Sequence, residues 1–215
     1  MIATGFASVV LDMDSTLCGI EGVDWLAARR GAGAGTAVAE LTERAMRGDI
    51  ALEAVYGERL ALVTPTREDI DALGAAYLET LATGARDAVT TLRAHGRRVV
   101  IVSGGLRAAI LPLAASLGIP DNHVHAVSIW FTAGRYAGFD TTSPLATAVG
   151  KHAVVEQLAL APRVIAVGDG ATDLAIRPAV DCFAAYTGFV HRDAVVSAAD
   201  VVLTSFDQLV ELVLA

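Results

Sequence analysis

Only two cysteines occur in 215 residues, Cys18 and Cys182. They are too few to staple a fold and too far apart for a thiolate metal spacing, which leaves reduced, partly buried thiols. Basic charge is also short. Sixteen Lys and Arg face 24 Asp and Glu, a net charge of -8, and no basic cluster reverses the balance. That argues against a nucleic-acid-binding surface and for a small molecule as partner. No apolar stretch runs the roughly 18 residues needed to span a bilayer. No basic segment precedes an apolar run at the N-terminus, so neither membrane nor secretion is expected and the chain reads as cytoplasmic. The five histidines form no helix-face pair at metal spacing. Internal repeats and low-complexity linkers are also missing. What is abundant is apolar content, 54% of residues, enough for one sizeable core with a small subdomain attached.

The stretch SVVLDMDSTLC from Ser8 to Cys18 organises the rest. A β-branched run, Val9-Val10-Leu11, stops at two acids separated by one residue. Side chains two apart on a strand share a side, so Asp12 and Asp14 would face one space while Met13 turns toward the core. Two carboxylates held that close repel unless a cation or a shared proton lies between them. A solvated strand-end turn is the competing reading, because Asp, Ser and Thr favour such turns.

Beyond this strand, residues 21–79 read as helical, with Val38, Leu41, Ala45, Leu52, Val55, Leu60 and Leu62 at spacings of three and four. Thr66 is the expected N-cap of a helix with Asp69 three residues on. Residues 85–94 predict another helix. Val99 to Val102 predicts a buried strand stopped by Ser103-Gly104-Gly105, followed by a helix over 106–117. Two alternating segments around Thr132-Ala133-Gly134, within 124–140, predict a β-hairpin. Residues 151–160 predict a helix, and Val164 to Val167 a third buried strand ending at Gly168-Asp169-Gly170. The runs 182–185 and 200–203 extend the sheet, and 206–214 closes with a helix. Trp25 is expected in the core under the helical insert, and Trp130 between hairpin and sheet.

This alternation predicts an α/β fold: a doubly wound, Rossmann-like parallel sheet, with a helical cap inserted after the first strand and a β-hairpin insertion. The division is a core of 1–19 and 84–215 and a cap of 20–83. Ligands bind such sheets at the carboxyl ends of the strands, where Asp12 and Asp14, Ser103 with its glycines, and Asp169 with Asp173 gather. Gly104, Gly105, Gly168 and Gly170 let backbone approach an anion. Ser103 offers a hydroxyl, and Lys151 at a helix start offers a point charge for phosphate. Taken singly, SGG reads as a turn and Lys151 as a solvated surface residue.

In order and spacing, DMDST, VSGG, Lys151 and GDGATD resemble the four motifs of the haloacid dehalogenase superfamily. The insert segments EGVDWLA and AMRGDIALEAVYGERLAL, with GRYAGFD and GFVHRDAV, are similar to those of its phosphoserine phosphatase branch. The resemblance implies Asp12 as nucleophile, Asp14 as general acid and base, and Ser103, the Gly104 and Gly105 backbone and Lys151 as holders of the phosphoryl group. It implies Mg2+ held by Asp12, Asp169 and the backbone carbonyl of Asp14, with Asp173 orienting Lys151 or the ion's water from behind. For an amino-acid phosphate it implies Glu21 on the ammonium and Arg59 on the carboxylate, an apolar wall of Met46 and Leu52, a hydroxyl from Thr172, and Arg192 near the entrance. Glu21 and Arg59 read equally as a solvated helix pair. Leu106 and Val149 depart from common family residues, which bears on pocket shape. The expected activity is hydrolysis of O-phospho-L-serine through an aspartyl-phosphate. A phosphatase or phosphotransferase for another small phosphomonoester, such as phosphohomoserine, is the alternative, and a non-catalytic binding relative a remote one.

Overall fold

A computed structural model describes residues 5–46 and 52–215. In chain order the elements are β1 (Ser8–Leu11), α1 (Gly22–Arg29), α2 (Ala32–Met46), α3 (Leu52–Val63), α4 (Arg67–Glu79) and α5 (Ala85–Ala94). Then come β2 (Arg98–Leu106), α6 (Arg107–Ser116), β3 (Val124–Val127), β4 (Ile129–Thr132) and β5 (Arg135–Phe139). The chain ends with α7 (Gly150–Gln157), β6 (Val164–Gly168), α8 (Ala171–Leu174), β7 (Cys182–Tyr186), α9 (Asp193–Val196), β8 (Val201–Leu203) and α10 (Phe206–Leu214).

Six strands form one parallel sheet in the order β3-β2-β1-β6-β7-β8. The continuous apolar runs are explained by burial of both faces. Val9 and Leu11 join the core cluster shared with α5, α6 and α10, while Val10 joins the cluster on the opposite face with Val155 of α7 and Val195 of α9. Val99 and Ile101 divide from Val100 and Val102 in the same way, as do Ile165 and Val167 from Val164 and Ala166. The strand order reverses between β1 and β6, which opens a crevice at their carboxyl ends.

The helical block between β1 and α5 docks through α4. Gly74 lies close to the backbone of Ala109 and the ring of Pro112 on α6. Ile70, Leu73 and Tyr77 are buried in the shared core. Val38, Leu41, Val55 and Leu60 are buried as their spacing predicts. Leu62 is exposed, so the period slips at the end of α3. The side chains of Ala45, Met46 and Leu52 lie outside the described residues.

The structure corrects three sequence expectations. β2 does not stop at Ser103. Its register against β3 passes from Val102↔His125 to Leu106↔Val127, four residues facing two, so Ser103-Gly104-Gly105 bulge from the sheet edge and the strand resumes. Val124 to Val127 is not half of a hairpin but the edge strand β3, because its backbone pairs with β2. The hairpin proper is β4 and β5, turning through Ala133 and Gly134, both with positive φ as a tight hairpin turn requires. Trp130 does not pack it on the sheet and is 53% exposed. The hairpin instead touches the helical block, with Phe139 against Tyr56 at 5.2 Å between ring centroids and the Arg67 guanidinium over Phe131. Trp25 is partly buried against the core, as expected, and Arg29 covers its ring.

Thr66 caps α4 in a reciprocal box. Its hydroxyl accepts the Asp69 N–H at 3.2 Å, and the Asp69 carboxylate accepts the Thr66 N–H at 2.9 Å while pairing with Arg30. Replacing Thr66 by alanine should therefore cost about 1 kcal/mol of stability. In thermal unfolding this is a melting temperature lowered by about 2–4 °C. An unchanged melting curve would mean that the cap contributes nothing to anchoring α4.

Candidate active site

The crevice between β1 and β6 receives its side chains from four places in the sequence. Asp12 follows β1, and its N–H still pairs with the Val167 carbonyl at 3.0 Å, so the sheet ladder fixes where its carboxylate emerges. Asp169 follows β6 and accepts the Thr16 hydroxyl at 3.1 Å. Asp173 sits on α8 and folds back, accepting the Gly170 N–H at 3.0 Å. Gly168 has no side chain because the Asp173 carboxyl occupies that space. Lys151, on the first turn of α7, is the only lysine in the chain. Its ammonium bonds Asp12 at 2.5 Å and Asp173 at 2.6 Å.

All four groups are buried. Burial first, and then the charge of Asp173, push the Asp12 carboxyl up to about 8, against the opposing pull of Lys151. The two carboxylates in turn hold Lys151 firmly protonated, outweighing its own burial. Ligand oxygens of Asp12, Asp169 and Asp173 lie within 4.8 Å of one another. Three buried acids here face two cations, Lys151 and the Arg192 guanidinium that pairs with Asp169. Hard oxygen donors with a residual negative charge fit a hard divalent cation. Asp173 thus joins the cluster itself, whereas the Asp14 carboxylate does not.

Asp14 turns toward the helical block. Its Oδ1 accepts the Tyr77 hydroxyl at 2.7 Å and the Gly22 N–H at 3.2 Å. Its Oδ2 faces Gly105, 3.4 Å from where a Cβ would stand. Burial, and then the nearby Glu21 carboxylate, push Asp14 up to about 7. Ser103 is buried on the bulge, its hydroxyl accepting the Gly105 N–H at 2.9 Å. The Gly104 carbonyl accepts the Tyr56 hydroxyl of α3 at 2.9 Å.

The substrate candidates are arranged differently from a simple Glu21–Arg59 pair. Glu21 is exposed, accepts the Ser15 hydroxyl at 2.7 Å and lies 3.8 Å from Arg192. Arg59 pairs with Asp24 at 2.6 Å. Thr172 is half-buried on α8, beside Asp173. Leu106 is buried in the core and Val149 is exposed at the start of α7. Cys18 is buried and Cys182 half-buried, both unpaired.

Sequence reasoning missed Tyr77, Tyr56, Thr16 and Asp24. Tyr56 and Tyr77 come from helices 42 and 63 residues after Asp14 and carry no local motif, so no pattern could assign them. One signal was readable and unused: a chain with 15 arginines and one lysine marks that lysine as the cation that arginine does not replace.

The model of the haloacid dehalogenase-like hydrolase family matches residues 9–176. A phosphoserine phosphatase of Homo sapiens is 37% identical over 206 residues, covering 94% of this chain and 91% of that protein. A chloroplastic phosphoserine phosphatase of Arabidopsis thaliana is 37% identical over 209 residues, covering 94% of this chain and 70% of that protein. A solved phosphoserine phosphohydrolase-like protein from Francisella tularensis superposes with a TM-score of 0.83 at 26% identity, covering 96% of this chain and 99% of that one. Because the match runs from the strand that leads into Asp12 to beyond the turn that holds Asp173, the chain belongs to the haloacid dehalogenase-like hydrolase family.

Proposed function

We propose that the protein is a Mg2+-dependent phosphoric monoester hydrolase that releases phosphate from O-phospho-L-serine. The observation that carries the reading is the buried meeting of Asp12, Lys151, Asp169 and Asp173 at the carboxyl edge of β1 and β6, beside the Ser103 bulge. Identity of 36–37% to phosphoserine phosphatases over 94% of the chain supports the substrate. Among the described residues no helix is long and apolar enough to cross a membrane, and a cytoplasmic location is part of the proposal.

In the first half-reaction an Asp12 oxygen attacks phosphorus and the bond from phosphorus to the serine oxygen breaks. The departing oxygen takes its proton from Asp14. The phosphoryl oxygens are held by Lys151, the Ser103 hydroxyl and the backbone of Gly104 and Gly105. In the second half-reaction water gives its proton to Asp14 and attacks phosphorus, and the Asp12–phosphate bond breaks. Held by Asp12, Asp169 and the Asp14 carbonyl, in the cluster that Asp173 joins, Mg2+ would supply the charge that offsets repulsion between carboxylate and phosphate.

Recognition of serine falls to the cap, residues 20–83. Glu21 takes the ammonium, Arg59 the carboxylate, and Arg192 and Thr172 flank the phosphate end. The α1 to α3 part of the cap would close over the phosphate and exclude water, with α4 remaining docked on α6.

The Asp12→Asn protein should fold normally, measured by circular dichroism, and release no phosphate. Beryllofluoride should label Asp12 in the parent, and an adduct on another residue would sink the assignment. EDTA should abolish phosphate release and Mg2+ restore it; full turnover in metal-free buffer contradicts the ion site. Arg59→Ala should raise KM for phosphoserine about tenfold to a hundredfold, since a charge-assisted contact contributes roughly 1.5–3 kcal/mol, with little change for p-nitrophenyl phosphate. Equal losses on both substrates would reduce the reading to an unspecified phosphomonoesterase and make the Arg59–Asp24 pair structural.

A further inference from the structure

We infer that Tyr77 is a positioning residue: its hydroxyl, together with the Gly22 N–H, holds Asp14 by one oxygen so that the other is presented to the leaving oxygen of the substrate. This rests on the reading of Asp14 as general acid. Both donors converge on Oδ1, at 2.7 Å and 3.2 Å. Oδ2 is directed at the Ser103-Gly104-Gly105 bulge, where the phosphate would lie.

Three observations separate this contact from incidental packing. First, Gly22 is glycine for Tyr77. Its φ is not in the left-handed region, and a Cβ there would run into the Tyr77 hydroxyl. Second, the support is rigid. The segment after Asp14 is laced to the end of α4: the Cys18 thiol reaches the Tyr77 carbonyl at 3.2 Å, the Gly19 N–H the Thr80 carbonyl at 3.0 Å, and the Ala82 N–H the Leu17 carbonyl at 2.8 Å. With α4 packed on α6 through Gly74, Tyr77 cannot withdraw from Asp14 without breaking this seam. Third, Tyr77 is fully buried, and a buried phenol needs a partner for its O–H. The partner it has is a catalytic carboxylate, not a backbone carbonyl.

In the transfer to Asp12, orientation of the acid matters only where the leaving group needs a proton. Phenol, with a pKa of about 10, departs poorly as an anion. p-Nitrophenolate departs readily unprotonated. Neither aryl phosphate carries an ammonium or carboxylate, so contacts of Glu21 and Arg59 do not enter the comparison. kcat/KM reports the steps through transfer to Asp12, which isolates the leaving-group step from hydrolysis of the intermediate.

The test is Tyr77→Phe, which keeps the ring and removes the hydroxyl, assayed with phenyl phosphate and p-nitrophenyl phosphate in saturating Mg2+. The expected result is a loss of about tenfold in kcat/KM for phenyl phosphate, the size of one lost hydrogen bond. p-Nitrophenyl phosphate should stay within about twofold. Gly22→Ala, which displaces the hydroxyl and leaves Tyr77 in place, should give the same selective loss and carries the test if Tyr77→Phe does not fold. Equal losses on the two substrates, or no loss on either, overturn the assignment. A failure of the phosphatase reading is seen separately, as no release from phosphoserine or from either aryl phosphate by the unaltered protein, and it removes the assignment with it.

Discussion

The sheet edge that positions Asp12 also removes its carboxylate from water and sets Asp169 and Asp173 beside it. Isolated charges in such a setting cost several kcal/mol each. Lys151 offsets part of that cost by lying between Asp12 and Asp173, at 2.5 and 2.6 Å. The rest of the crevice follows from that arrangement. Asp173 must fold back onto Gly168, β6 must end in glycine to admit it, and α7 must begin where its first turn can deliver an ammonium to β1. The acid charge that remains is what makes the cluster a fitting seat for a divalent cation.

Asp14 lives under a different constraint although it is two residues from Asp12. Two carboxylates and a lysine surround Asp12; a phenol, a helix-start N–H and a second carboxylate surround Asp14. Two acids on one strand end are thereby given unlike partners, although burial raises both. The difference comes from the helical block, because core residues hold Asp12 and residues of α1 and α4 hold Asp14.

The block is joined to the catalytic edge at further points. Tyr56 of α3 bonds the Gly104 carbonyl on the Ser103–Gly105 bulge, and its ring packs on Phe139 of the hairpin. Arg192, from the loop before α9, pairs with Asp169 and approaches Glu21 at 3.8 Å. Core, hairpin and block therefore meet around one crevice, and a change in the position of α3 is felt directly at Gly104.

Much of this was legible in the chain itself. Strands that are buried on both faces must be apolar throughout, so Val9 to Leu11, Val99 to Val102 and Val164 to Val167 announced themselves, and the polar residues that ended them marked the edge where chemistry gathers. The Thr66 cap was readable because its partner is three residues away. The sequence could not determine contacts between distant segments whose residues follow no period. Arg59 meets Asp24 rather than Glu21, Tyr77 reaches Asp14 across 63 residues, and β3 belongs to the sheet rather than to the hairpin. Residue type and local spacing determine what each group can do. Only the docking of α4 on α6 and the reversal of strand order at β1 decide which groups meet, because those depend on surfaces buried between elements far apart in the chain.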